Sequence, residues 1–237
     1  YTYGTGLQLS DVIRLKYTIP AELGFTEAQF TSVDSLAKIA IYMKATPGCQ
    51  VLIAQHGKVF YDKAFGHHTY AAGSAPVTTS DLYDLASITK VAASTISIMR
   101  LTDEKFFDID RTVGSYVPVL EKTNKAGMRI RDILAHQAGL PAWIPFYKAT
   151  IKDAAARNKY YRSTASDSFP YKVAENMFLR KDYPDTMLAI IAGCEVDTKK
   201  HYKYSDLGYY FFKYIIEHHT GKRLDEYVDS LFYRPMG

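Results

Sequence analysis

Cysteine is scarce: the 237 residues hold two, Cys49 and Cys194, far apart and outside any C-x-x-C pair. That spacing supports neither a disulfide framework nor a zinc ribbon, and each reads as a single buried thiol. The H-E-x-x-H of a zinc protease and the G-x-S-x-G elbow of an α/β-hydrolase are missing as well. His67–His68 and His218–His219 are adjacent pairs, and neighbouring side chains diverge on helix and strand alike, so neither pair reads as a shared metal site. Gly57, Gly66 and Gly73 do not space as a phosphate loop. No cofactor is expected from this inventory. No apolar run approaches the roughly 18 to 20 residues of a membrane span. A net charge of +4 without a Lys/Arg run gives no electrostatic case for nucleic acid. The chain begins at Tyr1 without methionine or signal peptide, as a processed or recombinant product or a piece of something longer would.

What is present is ordinary globular composition, 47% hydrophobic and 23% charged. The length suffices for one large domain or two intimate lobes with a sizeable core. Residues 1–24 carry no period and read as a lead-in or linker from an upstream segment. Thr26-Glu27-Ala28-Gln29 then has the form of a capping box, with Phe25 and Phe30 placed as a hydrophobic staple. Phe30, Val33, Leu36, Ala37, Ala40 and Ile41 follow at helical spacing until Thr46-Pro47-Gly48. "CQVLIAQHGKVFYDKAFG" reads as two strands joined by a type II′ turn at Gly57-Lys58. His67 to Thr79 is a loop. From Ser87 the period is helical again, with Ile88, Val91, Ala92, Thr95, Ile98 and Met99 on one face. "RIRDILAHQAGLPAW" predicts a short helix and a Gly-Leu-Pro turn, and residues 145–200 resist assignment. A last long helix is expected from Leu207 to His219 with Gly221 as its stop, and another opens at Leu224. Two strands make a marginal sheet, so something must complete it.

Two stretches have a serine three residues before a lysine. Ser35-Leu36-Ala37-Lys38 falls mid-helix, where the serine is an ordinary interior residue. Ser87-Ile88-Thr89-Lys90 falls where a loop becomes a helix. There the free N–H groups favour developing negative charge, and the i, i+3 spacing puts Lys90 on the same face as Ser87. A partly buried lysine can relay a proton for a nucleophilic hydroxyl. The competing structural role for Ser87 is that of a helix N-cap, and the local pattern leaves both open.

Three blocks in order weigh on the choice: "DLYDLASITKVAAS", "IRDILAHQAGLPAW" and "KYSDLGYYFFKYIIEHHTGK" running on to "RLDEYVDSLFYRPMG". Together they resemble the serine β-lactamase-related family of class C β-lactamases, D-alanyl-D-alanine carboxypeptidases and β-lactamase-like esterases, over roughly residues 26 to 237. The resemblance implies an α+β fold, a helical lobe beside an antiparallel sheet flanked by helices, with the sheet incomplete in this chain. It implies a domain over 25–237 truncated before its last strands. Ser87 would be the acylated nucleophile, its backbone N–H half of an oxyanion hole, and Lys90 its partner. Tyr204 would shuttle the proton. Tyr-x-Asp also occurs at Tyr183 and Tyr227, but only Tyr204 precedes the family's helix block. His136, in "LAHQAGLP", reads as a structural anchor of its loop.

Two departures from the family stand out. Asp206, expected to bind substrate, occupies a place usually held by asparagine. A carboxylate only accepts hydrogen bonds and favours a charged Lys90. Either Asp206 is protonated, or Lys90 acts as a cation that lowers the tyrosine pKa, or the chemistry is weakened. The family's third motif, Lys/His-x-Gly on a strand, has no candidate after Tyr204. The expected function is a serine hydrolase working through an acyl-enzyme on an amide, peptide or ester bond. A D-amino-acid peptide, cell-wall-type or small ester substrate fits better than a β-lactam. The alternative is a catalytically silent ligand-binding or accessory module, fused to or paired with another catalytic domain such as a glycoside hydrolase. By resemblance alone, a periplasmic or secreted bacterial setting is implied.

Overall fold

The Thr26 capping box forms as written. In the computed structural model, which describes residues 15–199 and 201–236, Gln29 Oε1 accepts from the Thr26 backbone N–H at 2.7 Å. The Phe25 and Phe30 rings meet edge-on, 5.8 Å between centroids. Most of the expected lead-in lies outside the described residues. Its described end contributes strand β1 (Lys16–Tyr17), which precedes helix α1 (Thr31–Tyr42), β2 (Gly48–Gln55) and β3 (Lys58–Gly66). The strands order β1-β3-β2, with β1 parallel to β3 and β2 antiparallel to it. Asp34 of α1 takes Lys63 Nζ at 2.9 Å and the Tyr61 hydroxyl, both from β3, and so fixes the helix on the sheet. Burial first, then this carboxylate, pushes the Tyr61 phenol up to about 12.

The hairpin turn corrects the sequence reading. His56 and Gly57 both lie at positive φ, 51° and 74°, so the turn spans His56-Gly57 with type I′ signs, and Lys58 already pairs in β3. Type I′ twist matches the right-handed twist of the flanking strands, and glycine at its second position costs nothing sterically. The apolar face of α1 is also displaced. Ala37 is buried, whereas Leu36 is 66% exposed and Ile39 49%. Cys49 and Cys194 are free and half-buried rather than buried.

These first elements belong to one compact unit, and the described residues between 86 and 232 form the second. The second unit opens with a helical run whose first part, Lys90–Thr95, is wound as a π-helix, and α2 (Ile96–Asp103) continues it. Thr95 Oγ1 donates to Lys90 O five residues back, the reach of a widened turn. That extra width shifts the phase of the apolar stripe. Ser94, Ser97, Ile98 and Leu101 face inward, whereas Ile88, Val91 and Met99, expected inside, are more than 60% exposed.

Next come α3 (Ile130–Leu134), α4 (Phe146–Ile151) and α5 (Ala154–Tyr160). A second small sheet of β4 (Tyr161–Arg162), β5 (Tyr171–Ala174) and β6 (Met177–Leu179), ordered β4-β6-β5, fills the stretch that the sequence left unassigned. Helices α6 (Tyr183–Gly193), α7 (Leu207–Thr220) and α8 (Leu224–Val228) complete the unit. Gly221 at φ 67° stops α7 as expected. Leu207, Phe211, Phe212 and Ile216 of α7 pack with Ile98, Leu101, Ile130, Ile133 and Ile191 into a core almost sealed from solvent. Burial of each such side chain contributes roughly 1.5–3 kcal/mol. The class is α+β, as expected. No helix among the described residues is long and apolar enough to cross a membrane.

Candidate active site

Ser87 sits exposed at the start of the helical run. Ala86 before it holds a left-handed φ of 43°, and the first helical bonds, Thr89 N–H to Ala86 O and Lys90 N–H to Ser87 O, follow at once. The sharp entry presents the hydroxyl one turn below Lys90. Lys90 Nζ donates to Ser87 Oγ at 3.0 Å. The ammonium lies 5.1 Å from the centroid of the Tyr204 ring and 5.5 Å from that of Tyr209. Hydrogen bonds with Lys90 first and Ser87 second pull the Tyr204 phenol below its ordinary range, against a smaller upward pull from burial. The i, i+3 spacing thus brings Ser87 and Lys90 together, and the segment before α7 sets the Tyr204 ring beside the same ammonium.

Asp206 joins them. Its Oδ1 is buried 2.6 Å from Lys90 Nζ, an ion pair without hydrogen-bond alignment. Burial opposes charge on Lys90, but Asp206 and then Tyr204 outweigh it and lift the ammonium above its usual value. Of the three possibilities raised by an aspartate at this position, a cationic Lys90 that lowers the tyrosine is the one these neighbours favour.

Positioning comes from the loop after α3. Gly139 turns it at φ 75°. Ser205 Oγ donates to Pro141 O at 2.6 Å, and Asp206 N–H donates to Ala142 O at 2.8 Å. Gly208, at the start of α7, lies so close to Ile133 that a β-carbon there would overlap its Cγ2. The rejected serine and tyrosines have other employment. Ser35 Oγ donates to Thr31 O within α1, Tyr183 is buried with its hydroxyl on Phe146 O at 2.7 Å, and Tyr227 is a core residue. Sequence reasoning passed over Tyr209, whose place on the first turn of α7 is the signal that could have found it.

A sequence model described as Beta-lactamase matches residues 35–237. The chain belongs to this family. It is 28% identical over 224 residues to the N-acetylmuramyl-L-alanine amidase of Bacillus subtilis (strain 168), covering 90% of this chain and 46% of that protein. An Escherichia coli (strain K12) protein described provisionally as a D-alanyl-D-alanine carboxypeptidase is 27% identical, with 92% of this chain and 48% of that one covered. Among solved structures, the octameric penicillin-binding protein homologue from Pyrococcus abyssi superposes with a TM-score of 0.64 at 22% identity, over 86% of this chain and 42% of that one. The chain thus spans about half the length of the curated relatives it matches.

Proposed function

We propose that this chain carries the nucleophilic half of a serine hydrolase acting through an acyl-enzyme. The observation that carries the reading is Lys90 Nζ at 3.0 Å from Ser87 Oγ, with the Tyr204 ring 5.1 Å from the same ammonium. As a cation, Lys90 donates to Oγ and leaves the hydroxyl proton free to point at Tyr204. Tyr204, as phenolate, takes that proton while Oγ attacks the substrate carbonyl carbon. The Ser87 backbone N–H faces the developing oxyanion. Tyr204 then protonates the departing oxygen or nitrogen, leaving an ester on Ser87. Water repeats the sequence, giving its proton to Tyr204 and releasing the acid and free Ser87. Asp206 holds Lys90 charged and lies where it can accept from a substrate amide N–H.

A D-amino-acid peptide, another cell-wall-type amide or a small ester is the proposed substrate class, in a periplasmic or secreted setting. The names of the amidase and carboxypeptidase relatives support the amide reading. The test is intact mass after exposure to a fluorophosphonate and, separately, a penicillin, in the natural protein that carries this chain, with Ser87→Ala as control. One adduct, lost in the control, is the expected result. A folded protein without an adduct would overturn the reading in favour of a silent ligand-binding module.

A further inference from the structure

His136 touches the segment that carries Tyr204 at three points. Its backbone carbonyl accepts from Lys203 N–H at 2.8 Å. Its ring Nδ1 lies 3.2 Å from Ser205 N, which must donate to it. Between those two anchors the imidazole lies against the Tyr204 ring, 4.4 Å between centroids and 35° between planes. We propose that His136 is a positioning residue for the reaction, clamping the 203–205 backbone on both sides of Tyr204 and packing on its ring so that the phenol stays within reach of Ser87 and Lys90. The proposal rests on the acyl-enzyme reading above.

A loop anchor alone would not need this side chain. The carbonyl of any residue could take the Lys203 bond. His136 also stands just past the end of α3 at φ 56°, the left-handed position where glycine or asparagine is cheapest. A histidine there accepts backbone strain that glycine would avoid. What it adds is the ring, whose hydrogen bond and nearest aromatic contact both fall on the Tyr204 segment.

The clamp also requires one protonation state. A backbone N–H can donate only to a lone pair, so Nδ1 is bare and a neutral imidazole carries its hydrogen on Nε2. Lys90 and Asp206 are the charged groups that act on it, and Tyr202, Tyr204 and Tyr209 surround it with phenol rings. Burial first, and then the Lys90 ammonium, hold His136 below its ordinary value, against the Ser205 bond and Asp206. As pH falls through that lowered value, both ring nitrogens become donors and the Ser205 bond is lost. Acid therefore releases Tyr204 in addition to protonating it.

Three substitutions separate the parts. His136→Asn keeps an acceptor near the Nδ1 position, tolerates the left-handed backbone and does not titrate. His136→Phe keeps the ring without the acceptor, and His136→Ala removes both. In the natural protein carrying this chain, kcat for a small activated ester is expected to fall roughly tenfold to a hundredfold in His136→Ala, with KM little changed. His136→Asn should recover part of that loss. It should also lack the additional downward bend that the wild-type kcat/KM profile shows below the histidine's lowered value. Thermal unfolding checks that each variant is folded. Independently of turnover, nitrogen NMR of the wild type should show the Nε2–H tautomer at neutral pH, with the Ser205 amide and Tyr204 ring signals titrating together with His136. Folded variants with wild-type kcat, or Ser205 and Tyr204 signals that ignore His136, would overturn the proposal. Absence of a Ser87 adduct in the wild type would instead overturn the hydrolase reading, and the NMR coupling would still decide the clamp.

Discussion

Tyr204 is the residue on which the proposed chemistry turns, and its surroundings fix how activity should follow pH. Its phenol is held low by Lys90 and Ser87, and Lys90 is held high by Asp206 and Tyr204. Activity should therefore rise as pH climbs through the lowered tyrosine value and fall as it passes the raised lysine value. Asp206 pushes both groups upward. Asp206→Asn removes that charge, so both limbs of the kcat/KM profile should move to lower pH, and a profile with unmoved limbs would refute the assignment. Tyr204→Phe, which keeps the ring against His136 and loses the proton carrier, should cost about 10²–10⁴ in kcat with little change in thermal stability. At this scale the helix start showed the Ser87–Lys90 spacing but left a helix cap open; the resemblance of the three blocks singled out that pair, and Tyr204 with it, as candidates. His136 read from sequence as an anchor of its loop; its proposed clamp on Tyr204 did not, because a ring contact and a hydrogen bond between positions 136 and 205 leave no periodic trace.

Two elements deserve mutation on energetic grounds, α6 and α7. Lys125 is fully buried, and its ammonium donates to Asn124 Oδ1 at 2.8 Å, Ala192 O at 3.0 Å and Cys194 O at 2.5 Å. The two carbonyls lie at the C-terminal end of α6, where the helix leaves acceptors unmatched and its dipole favours a cation. Lys125→Met would fill the space and orphan those acceptors, and should lower stability by about 2–4 kcal/mol in denaturant unfolding. Gly208→Ala would drive a methyl into Ile133 at the contact between α7 and α3. A loss of roughly 1–3 kcal/mol is expected there, with a larger fractional loss of activity, because Asp206 sits two residues away. The sequence showed α7 and its glycine stop clearly, since fourteen residues of strong period outweigh local noise. It misplaced the inner face of the run after Ser87 because a π-turn at Lys90–Thr95 obeys neither helical nor strand periodicity. It missed β4 to β6, whose strands of two to four residues are too short for alternation to register. Its turn at Gly57-Lys58 was one residue late, because glycine serves either the first position of II′ or the second of I′.

The whole molecule leaves apolar surface in the open. Leu36 and Ile39 of α1 and Met43 that caps it are 66%, 49% and 72% exposed, and Leu52 of β2 is 53% exposed. Among the described residues β2 pairs with a strand on one side only. An isolated 237-residue chain is therefore expected to associate as its concentration rises. Sedimentation equilibrium should show this, and Leu36→Lys combined with Ile39→Lys should reduce it; a monodisperse monomer at high concentration would contradict it. The two long strands were legible from sequence, but β1 was not, because two residues at the end of the expected lead-in are too few to show a period. Two lobes were among the expectations, but their boundary near residue 85 was not legible, since no Pro- or Gly-rich linker marks it.

Helix α7 has a further consequence. Its leading end adjoins Tyr204 and Asp206, and the remainder supplies Phe211, Phe212 and Ile216 to the most deeply enclosed part of the second unit. Ser87, Lys90 and His136 belong to that same unit. Site and interior are therefore expected to unfold together, since one continuous helix joins them. On warming, loss of turnover and loss of aromatic circular dichroism should trace a single curve with one midpoint. A protein that stopped working well before it melted would show that the reacting groups are governed by a softer, local equilibrium.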